Sequence, residues 1–576
     1  MGIRESLEEI FTEAIASAAD SGELDLEVLP APSLERPRDE ANGDWASTVA
    51  MRCAKAAGMP PRDVAQLIID NLPESASHVI ASAEIAGPGF INIRLADNVL
   101  QDVVRVVRDE GAEYGKGVVA EGERFINIEY VSANPTGPMH VGHGRWATLG
   151  DAIARIMRHA GYDVFEEFYV NDHGSQMDVF GNSVSVRYMQ LLGHDVEMPE
   201  NCYGGAYVTD IAQQILDRDG NVYEDLSEKE RADAFREIAY VQMLEDQKSL
   251  LQRYGTTFDR WFSERTLYEV AEDDRCAVDR ALDAMRDKGY VYEKDGATWF
   301  RSTDFGDSKD RVLIKENGEY TYFTSDVAYH YDKVLRGYDK LIDLWGADHH
   351  GYIKRCEAML SAWGYPDVLE VVLGQLVNLF RDGQVVRMSK RTGEMVTFEE
   401  LVDEVGVDAT RFTMLSRSSD QPIDFDIEEA KKQDSSNPVY YVQYAHARIC
   451  SVIKKAAAEI LGDDSDQIKR IGELAREIAP FDCDLSPLTH DSELKMIRKI
   501  ADFGELVEGA ARDRAPHRLT HYAQELASDF HGFYTECRVI TDDEDTTRAR
   551  VALIDAARIV LALTLSLLGI SAPEHM

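Results

Sequence analysis

Two histidines three residues apart, His140 and His143, stand where an apolar alternating run gives way to a helical pattern. Far downstream, three cations gather within five residues, at Arg387, Lys390 and Arg391. Neither group contains a nucleophile. Imidazole N–H donors and fixed cations suit a reaction in which negative charge builds on phosphate oxygens, a step governed by positioning and charge stabilisation. The histidines close a Pro/Gly-rich turn, Ser132-Ala133-Asn134-Pro135-Thr136-Gly137-Pro138-Met139. Before it, Phe125 to Val131 alternates and predicts a strand. After it, Leu149, Ile153, Ile156 and Met157 repeat at helical spacing over Trp146 to Ala160, with Gly161 as a stop. A strand, a turn and a helix N-terminus present backbone N–H groups and a positive dipole end to an anion. On a helix that has begun by His140, the two rings share a face. Taken alone, His-x-Gly-His also fits a turn with surface histidines, and a basic loop run also fits a solvated patch.

The elements that position these residues fall into three regions. Residues 1–118 read as one domain: helical segments, a helix from Met51 to Ala57, another opening at Pro60-Pro61, and a turn at Gly87-Pro88-Gly89 feeding an alternating strand to Leu95. Residues 119–436 read as an α/β unit. Its second strand is Val164 to Val170, followed by a polar helical insertion over about 176–260. Asp295-Gly296 marks a hairpin, Leu341 to Trp345 a strand, and Leu369 to Phe380 one apolar strand-like run. Ligands of open α/β sheets lie beyond strand C-ends, which puts Gly346, Asp348 and His349 at such a place. Residues 437–576 carry helical stripes such as Leu494, Ile497, Ile500 and Phe503.

His140-Val141-Gly142-His143 resembles the HIGH motif of class I aminoacyl-tRNA synthetases, and the Ser-Ala-Asn-Pro-Thr-Gly lead-in is most similar to the arginyl-tRNA synthetase family. Arg387-Met388-Ser389-Lys390-Arg391 resembles the KMSKS loop of the same class, with Arg387 where the pattern has Lys. Arg keeps the charge and changes the geometry. The resemblance implies a class I Rossmann-type parallel-sheet catalytic domain, with an N-terminal α+β added domain and a C-terminal all-α helical bundle. It implies L-arginine, ATP with Mg2+ as co-substrate and tRNA(Arg) as partners, tRNA bound before activation, and no tightly bound metal or organic cofactor. His140, His143, Lys390, Arg387 and Arg391 would act on the phosphates. Ala133, Asn134, Pro135, Thr136, Gly137, Pro138, Met139, Val141 and Gly142 would join them around ATP, with Gly346, Asp348, His349, Met388 and Ser389. Ser132, Asn134, Glu264, Tyr322 and Asp326 would surround the arginine, whose guanidinium calls for a planar carboxylate partner. Phe90 and Asn92 would meet a base of the tRNA D-loop. Read without the resemblance, Glu264 is an exposed acid, and Phe90 a core residue beside an exposed Asn92.

The chain has 576 residues, 44% apolar and 29% charged, which fits a soluble globular protein of several domains. Seven cysteines lack Cys-x-x-Cys spacing, so reduced cytoplasmic thiols are the simple reading. The longest apolar run, near Ile559 to Ile570, is too short to span a bilayer. The net charge of −43 opposes phosphate binding in general, yet the acid is spread along the whole length. That distribution resembles proteins of salt-accumulating organisms, where screening mutes self-repulsion. A monomer is the default expectation, since no heptad seam is evident. Three readings remain open: the arginyl enzyme, another class I synthetase, and a tRNA-binding paralogue or small-molecule nucleotidylyltransferase.

Overall fold

The computed structural model describes residues 2–37, 39–386, 396–462 and 470–576. Five parallel strands run, edge to edge, Leu369–Gly374, Lys340–Gly346, Phe125–Glu129, Asp163–Val170 and Arg260–Ser263. Ile126, Ile128, Leu341 and Ile342 are buried, as covered strands require. The first strand in sequence lies in the middle. The chain builds outward to one side, then returns to build the other. A crevice forms at that reversal, between the C-ends of Phe125–Glu129 and Lys340–Gly346.

Helix Val141–His159 makes the first crossover. The expected helical insertion is Ser175–Leu191, Ala206–Asp219 and Glu228–Arg253, closed over its own core of Phe180, Tyr188 and Phe235. The last of these helices opens on Ser227 and Glu230, which cap each other's backbone. Asp295-Gly296 does turn a hairpin, between Val291–Lys294 and Ala297–Phe300.

The run from Leu369 to Phe380 is not one strand. Leu369–Gly374 ends the parallel sheet, and Val377–Arg381 enters a separate three-stranded sheet with Gln384–Val385 and Ile423–Asp426. Apolar alternation cannot show the break at Gln375-Leu376, which tertiary contacts impose. Asp382 and Gly383, with φ 51° and 74°, make the turn between Val377–Arg381 and Gln384–Val385.

In the N-terminal region, Ile80–Ala86 and Phe90–Leu95 form a hairpin about Gly87-Pro88-Gly89, so the residues ahead of the turn are themselves a strand. Helix Asp97–Glu110 from this region packs on the C-terminal helices, where Arg108 pairs with Asp555 at 3.1 Å, both buried. Those helices are Pro438–Ile460, Ile471–Ile478, Asp491–Ala501, Phe503–Arg512, His517–Glu536 and Glu544–Leu567. Leu494, Ile497, Ile500 and Phe503 are buried among them. Arg411, wholly buried, joins the bundle to the sheet. It donates to the Leu568 carbonyl at 2.9 Å and the Tyr254 carbonyl at 3.3 Å, and it pairs with Asp151 of the first crossover helix.

Candidate active site

The first crossover helix starts at Val141, ahead of the Trp146 start its apolar spacing indicates, because His140 caps it. His140 has extended φ and ψ of −94° and 168°. Its Nδ1 accepts the His143 N–H at 3.3 Å, and His143 Nδ1 accepts the His140 N–H at 3.2 Å. The rings stack with centroids 3.7 Å apart. A neutral imidazole that accepts at Nδ1 carries its proton on Nε2, so this reciprocal cap sets both rings as Nε2–H donors. Glycine at 142 leaves the His140 ring its place: a Cβ there would lie 2.9 Å from His140 Cε1 and push the ring aside.

The strand leading in ends under strain. Val131 and Ser132 have φ of 69° and 42°, a region β-branched residues rarely enter. Ser132 Oγ holds the bend, donating to Glu129 Oε1 at 2.9 Å and accepting the Tyr169 N–H at 3.2 Å.

A cleft of about 1430 Å³ opens over this point. Its lining includes His140, Gly142, His143 and Trp146, together with Glu129 and Ser132 and with Glu264, Tyr322 and Asp326. Gly346, Asp348 and His349 also line it. Glu264 is buried at 6% exposure, so it is no surface acid. Tyr322 opens helix Tyr322–Leu335 and is 80% exposed at the rim, with Asp326 one turn further on.

The turn Ala133 to Met139 shapes the cleft without lining it. Ala133, Met139 and Val141 are core, and Pro135 and Thr136 are buried. Gln247 donates to the Asn134 and Gly137 carbonyls at 3.2 Å, and Tyr207 to the Thr136 carbonyl at 2.9 Å, so the helical insertion holds this turn. Asn134 is exposed and donates to Gln176 at 2.8 Å, and Pro138 is half-buried. Of this stretch, His140, Gly142 and His143 line the cleft itself. Arg387, Met388, Ser389, Lys390 and Arg391 lie outside the described residues. The residues that follow them are bonded to the histidine turn: the Phe398 N–H donates to the Met139 carbonyl at 2.9 Å, and Thr397 bridges His140.

Burial and neighbouring charges set the electrostatics of the acidic part of this lining. Burial pushes the Asp326 carboxyl up to about 7, and Glu264 and Glu129 add to the rise, against His330 and Arg355. Burial also raises Glu264, against the hydroxyls of Ser325 and Tyr169. Beneath the cleft, Lys333, wholly buried, donates to Glu129 at 2.6 Å and Asp343 at 2.9 Å, and His330 Nε2 meets Asp343 at 3.2 Å. Burial alone would raise Asp343, but Lys333 and His330 outweigh it and hold it down to about 2. Glu129, His330, Lys333 and Asp343 escape a motif-based reading. Their signal was present: an acid inside the apolar strand Leu341-Ile342-Asp343-Leu344, and a Lys on the apolar side of a helix.

The cleft therefore brings together imidazole donors suited to an anion and carboxylates suited to a cation. A cationic ligand binds the deprotonated form of Asp326. Below pH 7 it must displace a proton, so affinity falls with falling pH and levels off above it. Calorimetric binding of a cationic ligand held by Asp326 is expected to weaken about tenfold from pH 7.5 to pH 6. Flat affinity over that range would remove Asp326 from the cation site.

A parallel sheet of this strand order, with stacked imidazoles capping the first crossover helix at its switch point, is the catalytic domain of a class I aminoacyl-tRNA synthetase. The family model "tRNA synthetases class I (R), catalytic domain" matches residues 110–450. "Arginyl tRNA synthetase N terminal domain" matches 5–95 and "DALR anticodon binding domain" 442–576. The arginine–tRNA ligase of Syntrophotalea carbinolica is 44% identical, covering 100% of both chains, and that of Geobacillus thermodenitrificans 43%, covering 100% of this chain and 99% of its own. The structure of Thermus thermophilus arginyl-tRNA synthetase, 22% identical, shares the fold with a TM-score of 0.72 over 100% of both chains. The chain belongs to the arginyl-tRNA synthetase family.

Proposed function

We propose that the cleft joins L-arginine to ATP and that the arginyl group then passes to the 3′ end of tRNA(Arg). In the first step a carboxylate oxygen of arginine attacks the α-phosphorus. The bond to the β-phosphate oxygen breaks, and its electron pair leaves with pyrophosphate. In the second step the terminal ribose hydroxyl displaces AMP. The carboxylate is ionised at neutral pH, so the first step needs no general base. It needs donors where phosphate charge develops, and the Nε2–H groups of His140 and His143 are set for that. Lys390, with Arg387 and Arg391, would close on the pyrophosphate beside Met388 and Ser389. Gly346, Asp348 and His349 would meet the adenosine. Mg2+ would arrive on the ATP phosphates.

Arginine carries two cations. Asp326 and Glu264 would take the guanidinium, with Tyr322 at the rim, and Glu129 beside Ser132 would take the α-ammonium. The observation that carries this reading is that one cleft is lined both by His140 and His143 and by Glu264 and Asp326. Arginine-dependent ATP–pyrophosphate exchange, with and without tRNA and at high and low salt, tests it. Exchange with arginine that requires tRNA is expected. Exchange with another amino acid, or none under any condition, would overturn it.

Residues 1–118 and 437–576 are read as the two tRNA-binding regions flanking the catalytic domain of 119–436. Phe90 and Asn92 share the outer face of their strand, while Ile91 and Ile93 are buried behind it. That supports stacking and an amide contact with an unstacked base rather than a core role for Phe90. Phe90→Ala is expected to raise KM for tRNA about 5- to 100-fold, from about 1–3 kcal/mol per stacked base, leaving KM for arginine in place. An unchanged KM for tRNA would remove it. On the helical bundle, Tyr440 stacks with Tyr444 at 6.4 Å, His531 lies 6.1 Å from Tyr444, and Arg448 reaches over Tyr444 and Tyr534. Phe530 and Phe533 are core, so the aromatic content of this region divides between packing and surface. The spread of acidic residues along the chain supports the reading of a protein adapted to a high-salt cytoplasm, taken here as a monomer.

A further inference from the structure

Arg145, two residues beyond His143, is wholly buried; among the described residues its hydrogen bonds go to carbonyls rather than to a carboxylate, and the charge of Asp420 acts on it without a direct contact. Its guanidinium is spent on main-chain carbonyls. One nitrogen donates to Gln375 O at 2.5 Å and Leu376 O at 3.3 Å, the other to Ser418 O at 3.1 Å and Gln421 O at 2.6 Å. These carbonyls belong to two segments. Gln375 and Leu376 line the cleft and form the break between the two sheets. Residues 418–421 lead into strand Ile423–Asp426, which pairs with Val377–Arg381, the strand that turns toward the 387–391 run. Gln375 N–H donates to Ser419 O at 2.9 Å, tying the two segments to each other. Trp146 seats the same wall from its other side, for a Cβ on Gly374 would land inside its ring.

Burying a cation whose direct partners are carbonyls is costly, and a planar fork that spans two segments is something Lys cannot reproduce. We propose that Arg145 is a positioning residue for the nucleotide half of the reaction. It fixes the 375–376 wall, and the sheet leading to the 387–391 run, at a set distance from the imidazole pair. The inference rests on the reading above that ATP lies between these parts.

The test measures KM for ATP and for arginine by exchange, and ATP affinity by calorimetry, for Arg145→Lys and Gly374→Ala. Gly374→Ala shifts the same wall from the Trp146 side without touching the buried charge, so it decides the matter if Arg145→Lys does not fold. In the folded variants KM and Kd for ATP should rise about 10- to 100-fold, the scale of a roughly 1 Å misplacement, while KM for arginine stays within about twofold. A merely structural role would lower the melting temperature and move both KM values together or neither, and either result overturns the proposal. Wild-type exchange with arginine reports separately on the functional reading, since ATP affinity in the variants is read without it.

Discussion

Asp326→Asn should raise KM for arginine by about 30- to 1,000-fold while KM for ATP holds. The size follows from leaving a cation beside an amide in a closed pocket, a loss of about 2–4 kcal/mol when one partner of a buried charge pair is neutralised. Asn is nearly isosteric, and burial and neighbouring acids destabilise the charge of Asp326 in the empty site. The variant should therefore fold at least as well as the native protein at neutral pH, because a carboxyl raised from its ordinary 3.8 to about 7 loses stability progressively as pH rises through that window and carries the full penalty above it. Steady-state exchange with arginine and ATP varied in turn gives both KM values, and a melting curve checks the fold. Equal loss for both substrates would mean that Asp326 holds the cleft open rather than binding the guanidinium.

The second large effect belongs to the imidazoles. His143→Ala should lower the exchange rate about 100- to 1,000-fold, the cost of about 2.7–4 kcal/mol for one donor aimed at developing charge. Alanine also removes half of the reciprocal cap, worth about 1 kcal/mol of stability. His143→Glu separates the two roles. Glu at the third helical position is the usual partner in a capping box, so that variant keeps its melting temperature. It brings a negative charge to the phosphates, however, and should be slower than the alanine variant. If His143→Glu retained activity, the histidines would be caps and nothing more.

Much of this was legible in the chain itself. The strand, turn and helix around residue 140 follow from alternation, Pro/Gly density and helical spacing, all of which are local signals. Asp382-Gly383 was equally readable, since two successive residues of positive φ leave few alternatives. What was hidden is long-range. The split of 369–381 comes from Trp146 and Arg145, which lie more than two hundred residues away. The apolar pattern on both sides of the break is that of one strand. Glu264 read as a surface acid because an acidic composition makes any single Glu unremarkable, and only burial distinguishes it. The anchoring of the Ala133 to Met139 turn was hidden for the same reason, since its carbonyls are held by Gln247 and Tyr207 of the distant helical insertion.

Arg411 has a practical implication. Its guanidinium touches Asp151, the Tyr254 carbonyl and the Leu568 carbonyl, and it occupies the space that a side chain on Gly569 would need. Close by, Asp408 accepts from Ser571 N–H at 3.1 Å and from Gln443 at 2.8 Å. The bundle is thus no interchangeable cartridge. A chimera that swaps in another species' anticodon domain at residue 437 would inherit a foreign C-terminal segment against this Arg411 and Asp408. It should graft cleanly only when the donor brings a glycine at 569 and a hydroxyl at 571, or when the cut is moved upstream so that 407–414 travels with its own mate.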